Sequence, residues 1–388
     1  MNVLHDVVIV GGRAAGAATA LLLTRLGHDV VVVDRATFPS DTISTHQLAR
    51  PGVVQLDRWG LLDTVLASGA PAIRQVTFSV AGASVTRIIK RKAGVDLLVA
   101  PRRTVLDKIV LDAAARAGAC AVTGVTVDGV QFDSTGRACG VVGHCASGAP
   151  VSIAARYVVG ADGLRSVVAR SVTAEVIEDR GDRGAAHYAY YGGLPWHGIE
   201  LIAAKRALAG VFPTNGGEAC IWVTTPTEDA REERRAAPSR AAAFEVLLRR
   251  ASPELADRLA HGRRTSPVAG MLRHPNILRR AHGPGWALVG DAGYHRDAVT
   301  GHGLSDAYRD AELLAVALDR ALRGGGDGDL AEYQRRRDRA LREVFDLTCA
   351  LAAYPPVADF VELQKQLSHA LDTEAEELVS LPLVRSSR

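Results

Sequence analysis

The stretch Asp6-Val7-Val8-Ile9-Val10-Gly11-Gly12-Arg13-Ala14-Ala15-Gly16 decides how this chain begins to fold. The β-branched run up to Val10 reads as a strand buried on both faces. Two glycines follow at once, and Ala14 to Leu26 reads as a helix with Gly27 as its stop. Asp29-Val30-Val31-Val32-Val33-Asp34 then reads as a second buried strand ending on a carboxylate. Strand, glycine turn, helix, strand and acid, in that order, predict a dinucleotide-binding βαβ unit. Gly11 permits the tight turn, and Gly16 lets helix and strand approach. The helix start offers N–H groups and a positive dipole end to a pyrophosphate. Asp34, 23 residues after Gly11, is placed to accept hydrogen bonds from an adenosine ribose and to repel a ribose 2′-phosphate. Read as G-x-G-x-x-G, the third position is Arg13. Its Cβ is expected to crowd a pyrophosphate unless the backbone shifts, while its guanidinium suits a diphosphate. The bland alternative is a βαβ unit with no ligand.

Two later segments narrow the ligand. Tyr157-Val158-Val159-Gly160 is a short apolar strand that turns at Ala161-Asp162-Gly163, and ligands of open α/β sheets bind at the carboxyl ends of strands. Trp286 to Gly290 repeats that logic and ends on Asp291, a carboxylate suited to a polyol such as ribityl. The loop beyond it leads through Gly301 to Gly303, and the next helix begins at Leu304. A helix N-terminus there would stabilise negative charge on a reduced flavin. An enzyme using NAD alone has no use for this third element. The three segments together point to FAD.

Composition bounds the alternatives. The chain of 388 residues is 47% hydrophobic with a net charge of +3, so it suits two domains or one large two-part fold and gives nucleic-acid binding no support. Arg335-Arg336-Arg337-Asp338-Arg339 reads as a solvated helix face beside Glu332 and Glu343. No apolar run is long enough for a membrane span, and the first strand follows Met1 too closely for a signal peptide, so a cytoplasmic protein is expected. Five cysteines without a C-x-x-C motif predict free thiols, no metal site and no redox disulfide.

Helical spacing runs from Pro51 to Gly69, a hairpin from Gln75 to Ile89, and an amphipathic helix from Thr104 to Ala117. Strands are expected at His187–Tyr191, Ala209–Phe212 and Ala219–Thr225, helices over 226–260, a strand pair near 265–280, and a helix from Leu304 to Leu322. The expected fold class is α/β. A Rossmann-like FAD-binding domain (1–75, 101–175, 281–325) interleaves with a β-rich substrate lobe (76–100, 176–280). A helical C-terminal tail, 326–388, follows.

At this point the chain resembles the FAD-dependent monooxygenases of the p-hydroxybenzoate hydroxylase fold, the class A flavoprotein hydroxylases. Gly11 to Gly16 with Asp34, Gly160-Ala-Asp-Gly163-Leu-Arg-Ser166, and Gly290-Asp291 through Gly301-His-Gly303-Leu304-Ser-Asp-Ala307 carry the resemblance, with Arg103-Thr-Val-Leu106 beside them. The resemblance implies cofactor contacts from Gly11, Gly12, Arg13, Ala14, Ala15, Gly16, Asp34, Arg35, Arg103, Val127, Asp162, Gly163, Gly290, Asp291, Gly301, Gly303 and Leu304. It departs at Ala298, where the family usually has proline, and at Tyr294, where histidine is usual.

The implied reaction uses NAD(P)H as a transient reductant and O2, and hydroxylates or epoxidises an aromatic or polyketide-like small molecule of secondary metabolism. The flavin carries the chemistry. His46 is the candidate catalytic residue. Tyr188, Tyr190, Tyr191 and Trp222 are candidate substrate contacts, against packing as the alternative. The rival activities are a reductase acting on a carbon–carbon double bond, like the geranylgeranyl reductases, and a flavin-dependent halogenase. The halogenase reading lacks the Trp-x-Trp-x-Ile-Pro segment; Lys90 and Lys92 are its weak support. A non-enzymatic FAD-binding module is the remaining class, and a monomer or homodimer is expected.

Overall fold

The computed structural model describes residues 3–44 and 46–382. Strand β1 (Leu4–Val10), helix α1 (Ala14–Arg25) and strand β2 (Val30–Asp34) form the opening unit. β1 pairs in parallel with β2 on one side and with Pro150–Gly160 on the other. Cys120–Thr123 and Trp286–Leu288 extend the parallel sheet outward. Successive side chains of a strand point to opposite faces, and β1 uses both. Val7 and Ile9 pack with α1 and the helix Gly303–Arg320, whereas Val8 and Val10 pack with Val125, Val141 and Trp286. The second face is covered by the antiparallel strands Val125–Phe132 and Ala138–Cys145. Three layers result: helices, parallel sheet, and a small β-meander.

A second sheet carries the other lobe. Its order runs Gly184–Gly192, Ala219–Pro226, Ala207–Pro213, Ile199–Ala204, Gln75–Val80, Ala83–Ile88. The hairpin Gln75–Ile88 joins it by a parallel pairing with Ile199–Ala204, a strand the sequence reading passed over. Along Gly184–Gly192, Ala185, Ala189 and Tyr191 face the helix Arg240–Ala251, and Tyr188 and Tyr190 face the opposite way. The strand pair expected near 265–280 does not form. Ala269–Met271 pairs with Gly184–Gly192, while Pro275–Arg279 pairs with Val176–Asp182 and Tyr294–His295.

The C-terminal helices Gly328–Leu351 and Val357–Ser380 are structural, not appended. Leu330, Tyr333, Ala375 and Leu378 complete the first core, and Leu347, Phe360, Leu367 and Leu371 the second-lobe core. The arginine run also needs correcting. Arg335 and Arg336 are exposed and pair with Glu332, but Arg337 is fully buried and donates to the carbonyls of Gly293 and Arg279.

Candidate active site

A groove of about 610 Å³ opens at the carboxyl ends of β1, β2 and Pro150–Gly160. Local hydrogen bonding shapes it. Gly11 N–H donates to Val33 O (2.7 Å) and Ala161 N–H to Val10 O (2.8 Å), which draws the two turns together. Gly11 holds φ +103°, and a Cβ there would stand 2.4 Å from Ala161 O, so only glycine fits. The Asp34 carboxylate accepts Gly12 N–H and Ala36 N–H, both at 2.7 Å. Asp34→Ala removes these charge-assisted bonds and any bond to a ribose. Fluorescence titration of the apoprotein with FAD should then show roughly tenfold weaker binding or worse, at about 1.5–3 kcal/mol per bond to a charged acceptor. Unchanged affinity would remove Asp34 from the site.

The groove lining includes Gly11, Arg13, Ala14, Ala15, Asp34, Arg35, Arg103, Val127, Asp162, Gly163, Gly290, Asp291, Gly301, Gly303 and Leu304. Gly12 and Gly16 lie behind that surface: one orients Asp34, the other seats α1 against the turn. The Arg13 guanidinium is engaged by protein groups. It donates to Asp107 (2.9 Å), to both oxygens of Ser40 and to Asp41 O. Asp107 is fully buried and takes a second guanidinium from Arg103 (2.9 Å). A buried carboxylate is strongly destabilising unless paired, which is why it commands both arginines. The sequence signal for Asp107 was available: a carboxylate four residues after Arg103, on the buried face of its helix.

Asp162 accepts Val167 N–H (2.6 Å), and burial holds its carboxyl above the ordinary carboxylate range. Its other oxygen is buried without a partner. At Gly163 and Gly303 an added Cβ would meet nothing within 4 Å, so the open space at both is the groove itself. An unpaired buried oxygen and two bare cradle positions fit an extended polar cofactor.

The inner end of the groove is rich in uncharged histidine. His46 is buried at φ +68°, stacks on Tyr190 (5.4 Å between centroids) and meets Tyr188 edge-on. Neither of its ring nitrogens has a partner among the described residues. Burial, then Arg103 and Arg102, push its pKa well below the ordinary value. Burial likewise takes His274 and His302 to about 3, assisted by His295 and Arg296 respectively. These rings are neutral hydrogen-bonding groups at physiological pH. Asp297 is raised to about 6 by burial, and its carboxylate holds Gly184 N–H and Val299 N–H. Tyr188 lines this end; Tyr190 does not, being covered by His46 and by Arg102, 3.6 Å from its ring centre. Tyr191 faces the other side of the sheet. Tyr294, at the position where the family usually has histidine, is buried against Phe345.

A separate chamber of about 220 Å³ lies across the turn Ala298–His302. Ala298, Gly301, His302 and Gln47 line both spaces. The chamber has an apolar wall, Leu208, Phe212 and Trp222 from the second sheet, Val299 from the turn, and Leu367 and Leu371 from the helix Val357–Ser380, and a polar side that includes Arg50, Gln364, Ser368 and Asp372. Trp222 stands here and not in the groove. Phe212 and Leu367 escaped the sequence reading because nothing local joins them.

The chain matches the FAD binding domain family over residues 5–348. The chain belongs to that family. It is 30% identical to a menaquinone reductase of Mycolicibacterium smegmatis, over 82% of this chain and 77% of that protein. It is 28% identical to the protoasukamycin 4-monooxygenase of Streptomyces nodosus subsp. asukaensis, over 90% and 88%. A structure of Pseudomonas aeruginosa PqsL in complex with 2-aminobenzoylacetate superposes with a TM-score of 0.77 at 26% identity, covering 95% of this chain and 100% of that one. The protein is therefore an FAD-dependent oxidoreductase, and the kinship with class A flavoprotein hydroxylases holds.

Proposed function

We propose that this flavoprotein is an NAD(P)H- and O2-dependent monooxygenase that hydroxylates or epoxidises an aromatic or polyketide-like small molecule. The observation that carries the reading is the chamber with its apolar wall, set beside the cofactor groove with only the Ala298–His302 turn between them. Bound FAD supplies two-electron transfer and O2 activation. The protein's part is to hold, orient and keep dry. Asp34, Asp162, Asp291, Gly303 and Arg103 line the groove and would be the residues that hold the cofactor there. Phe212 and Trp222, 5.1 Å apart between centroids, offer ring faces for an aromatic substrate. The apolar wall excludes water from the reacting face. The relatives named for 4-monooxygenation of protoasukamycin and for binding 2-aminobenzoylacetate support an aromatic or polyketide-like substrate.

A reductase is the second reading, favoured by the 30% identity to a menaquinone reductase. The halogenase reading loses ground. No lysine lines groove or chamber among the described residues, and Lys92 is held at 2.7 Å by Asp372. One experiment separates the readings. The FAD-loaded protein is mixed with NADH or NADPH and a panel of phenols and quinones, with and without 18O2. Product gaining one labelled oxygen supports the monooxygenase. Product gaining two hydrogens under anaerobic conditions replaces it with the reductase.

A further inference from the structure

The chamber opens between the hairpin and the last helix. Ile89 at the hairpin base and Gln364, Ser368 and Asp372 on the helix Val357–Ser380 line it, and Ser368 is exposed. One rim of this opening is unlike the rest of the surface. Over the whole chain acids nearly match bases, 43 to 46. From Gln75 to Val95 there is no acid, and Arg87, Lys90, Arg91 and Lys92 are all exposed; of the four, Lys92 is paired with Asp372 across the mouth (2.7 Å).

The same segment shows unpartnered apolar surface. Ala83–Ile88 is the edge strand of its sheet and, among the described residues, pairs only with Gln75–Val80. Cross-strand register sets Val76 opposite Arg87, Phe78 opposite Val85, and Val80 opposite Ala83, so these six share one face. Val76 lines the chamber, Phe78 and Val80 are partly buried against the same core, and Val85 is 57% exposed. An apolar stripe therefore runs from the chamber wall out along the hairpin, with cations beside it. The opposite face is tied by hydroxyl pairs, Thr77–Thr86 and Ser79–Ser84 (both 2.8 Å), and ends on Ile88, 67% exposed.

We propose that the hairpin Gln75–Ile88 with Lys90–Lys92 docks the protein on an anionic lipid bilayer, setting the chamber mouth against the membrane so that a lipophilic substrate enters from it. Charge complementarity selects the surface: exposed lysine and arginine are drawn to anionic headgroups, and the apolar side chains between them have the interfacial layer to enter. An acidic protein would satisfy the cations but offers no reason for Val85, at the end of the apolar stripe, to remain bare. No helix among the described residues is long and apolar enough to cross a membrane, so the attachment is peripheral. Docking requires no flavin chemistry, so it is tested apart from the reaction proposed above.

The FAD-loaded protein is sedimented with vesicles of phosphatidylglycerol and phosphatidylcholine, and with vesicles of phosphatidylcholine alone. Binding is expected to the first and not the second, weakening with added salt. Reversing two cations in Lys90→Glu/Arg91→Glu should lower the bound fraction roughly tenfold or more, and Val85→Ser, on the face that carries Phe78, should also weaken binding. Flavin content and thermal unfolding check that the variants fold. No sedimentation of wild type with anionic vesicles overturns the proposal. So does vesicle binding indifferent to both variants, and so does capture by an acidic carrier protein with none by vesicles.

Discussion

Gly16→Ala is expected to strip the flavin and to destabilise the chain by about 3 kcal/mol or more, at the severe end of the range for overpacking a tight site. A Cβ at this position would lie 1.8 Å from the Gly11 carbonyl oxygen and 3.1 Å from Ala161 Cβ. Neither obstacle is the end of a flexible side chain, so α1 must withdraw from β1. Withdrawal carries off the helix N-terminus on which a pyrophosphate depends. The flavin-to-protein absorbance ratio after gel filtration, and thermal unfolding of the apoprotein, give the two readouts. Gly129→Ala, whose Cβ meets Ser171 Oγ only at 3.7 Å, serves as the control and should keep its flavin. If Gly16→Ala binds FAD as wild type does, the close approach of helix and strand is not what builds the groove.

The second large effect concerns pH. Behind the Ala298–His302 turn lies a buried ionic network. Arg296 donates to Asp306 (2.7 Å) and to Thr300 Oγ1 (2.6 Å). Arg309 donates to Asp306 and to Glu374 (both 3.2 Å), and to Asp310 (2.8 Å). Three carboxylates face two guanidiniums, and burial raises the Glu374 carboxyl from 4.5 to about 7. The folded protein thus prefers Glu374 protonated. Its stabilising contribution is fully present below about pH 4.5 and is lost as pH rises through about 7. Thermal stability should therefore fall between about pH 4.5 and about pH 7 and level off above it, and retention of FAD with it, because the network braces the turn. Glu374→Gln fixes the neutral form and should flatten that slope. Glu374→Ala also loses a packed side chain and should be less stable at every pH. An identical pH slope in wild type and Glu374→Gln would show that the titrating group lies elsewhere.

The cofactor groove was largely legible because its information is local. A turn between strand and helix declares itself over a dozen residues, and Asp34, Asp162 and Asp291 each end a short apolar strand. What the sequence concealed depends on distant partners. Arg13 looks like an anion ligand until Asp107 is placed 2.9 Å away. Arg337 sits in a run that reads as solvated, yet it spans two carbonyls inside the molecule. Ile199–Ala204 alternates weakly and is a strand because Ala207–Pro213 and Gln75–Val80 flank it on its two sides. The chamber is the extreme case: its walls come from the loop after β2, the hairpin, the second sheet and the last helix, and no periodicity links them.

The order of these walls along the chain sets an order of assembly during synthesis. Every residue lining the cofactor groove precedes Tyr308, whereas the chamber needs Gln364 to Asp372. A ribosome releases every residue that lines the cofactor groove before it releases the helix that closes the chamber. That helix also brings Ala375 and Leu378 to the first core and Glu374 to Arg309. A nascent chain therefore displays all the groove's lining residues for a time without the helix that braces them, and the speed with which that helix docks sets how long this unbraced stage lasts.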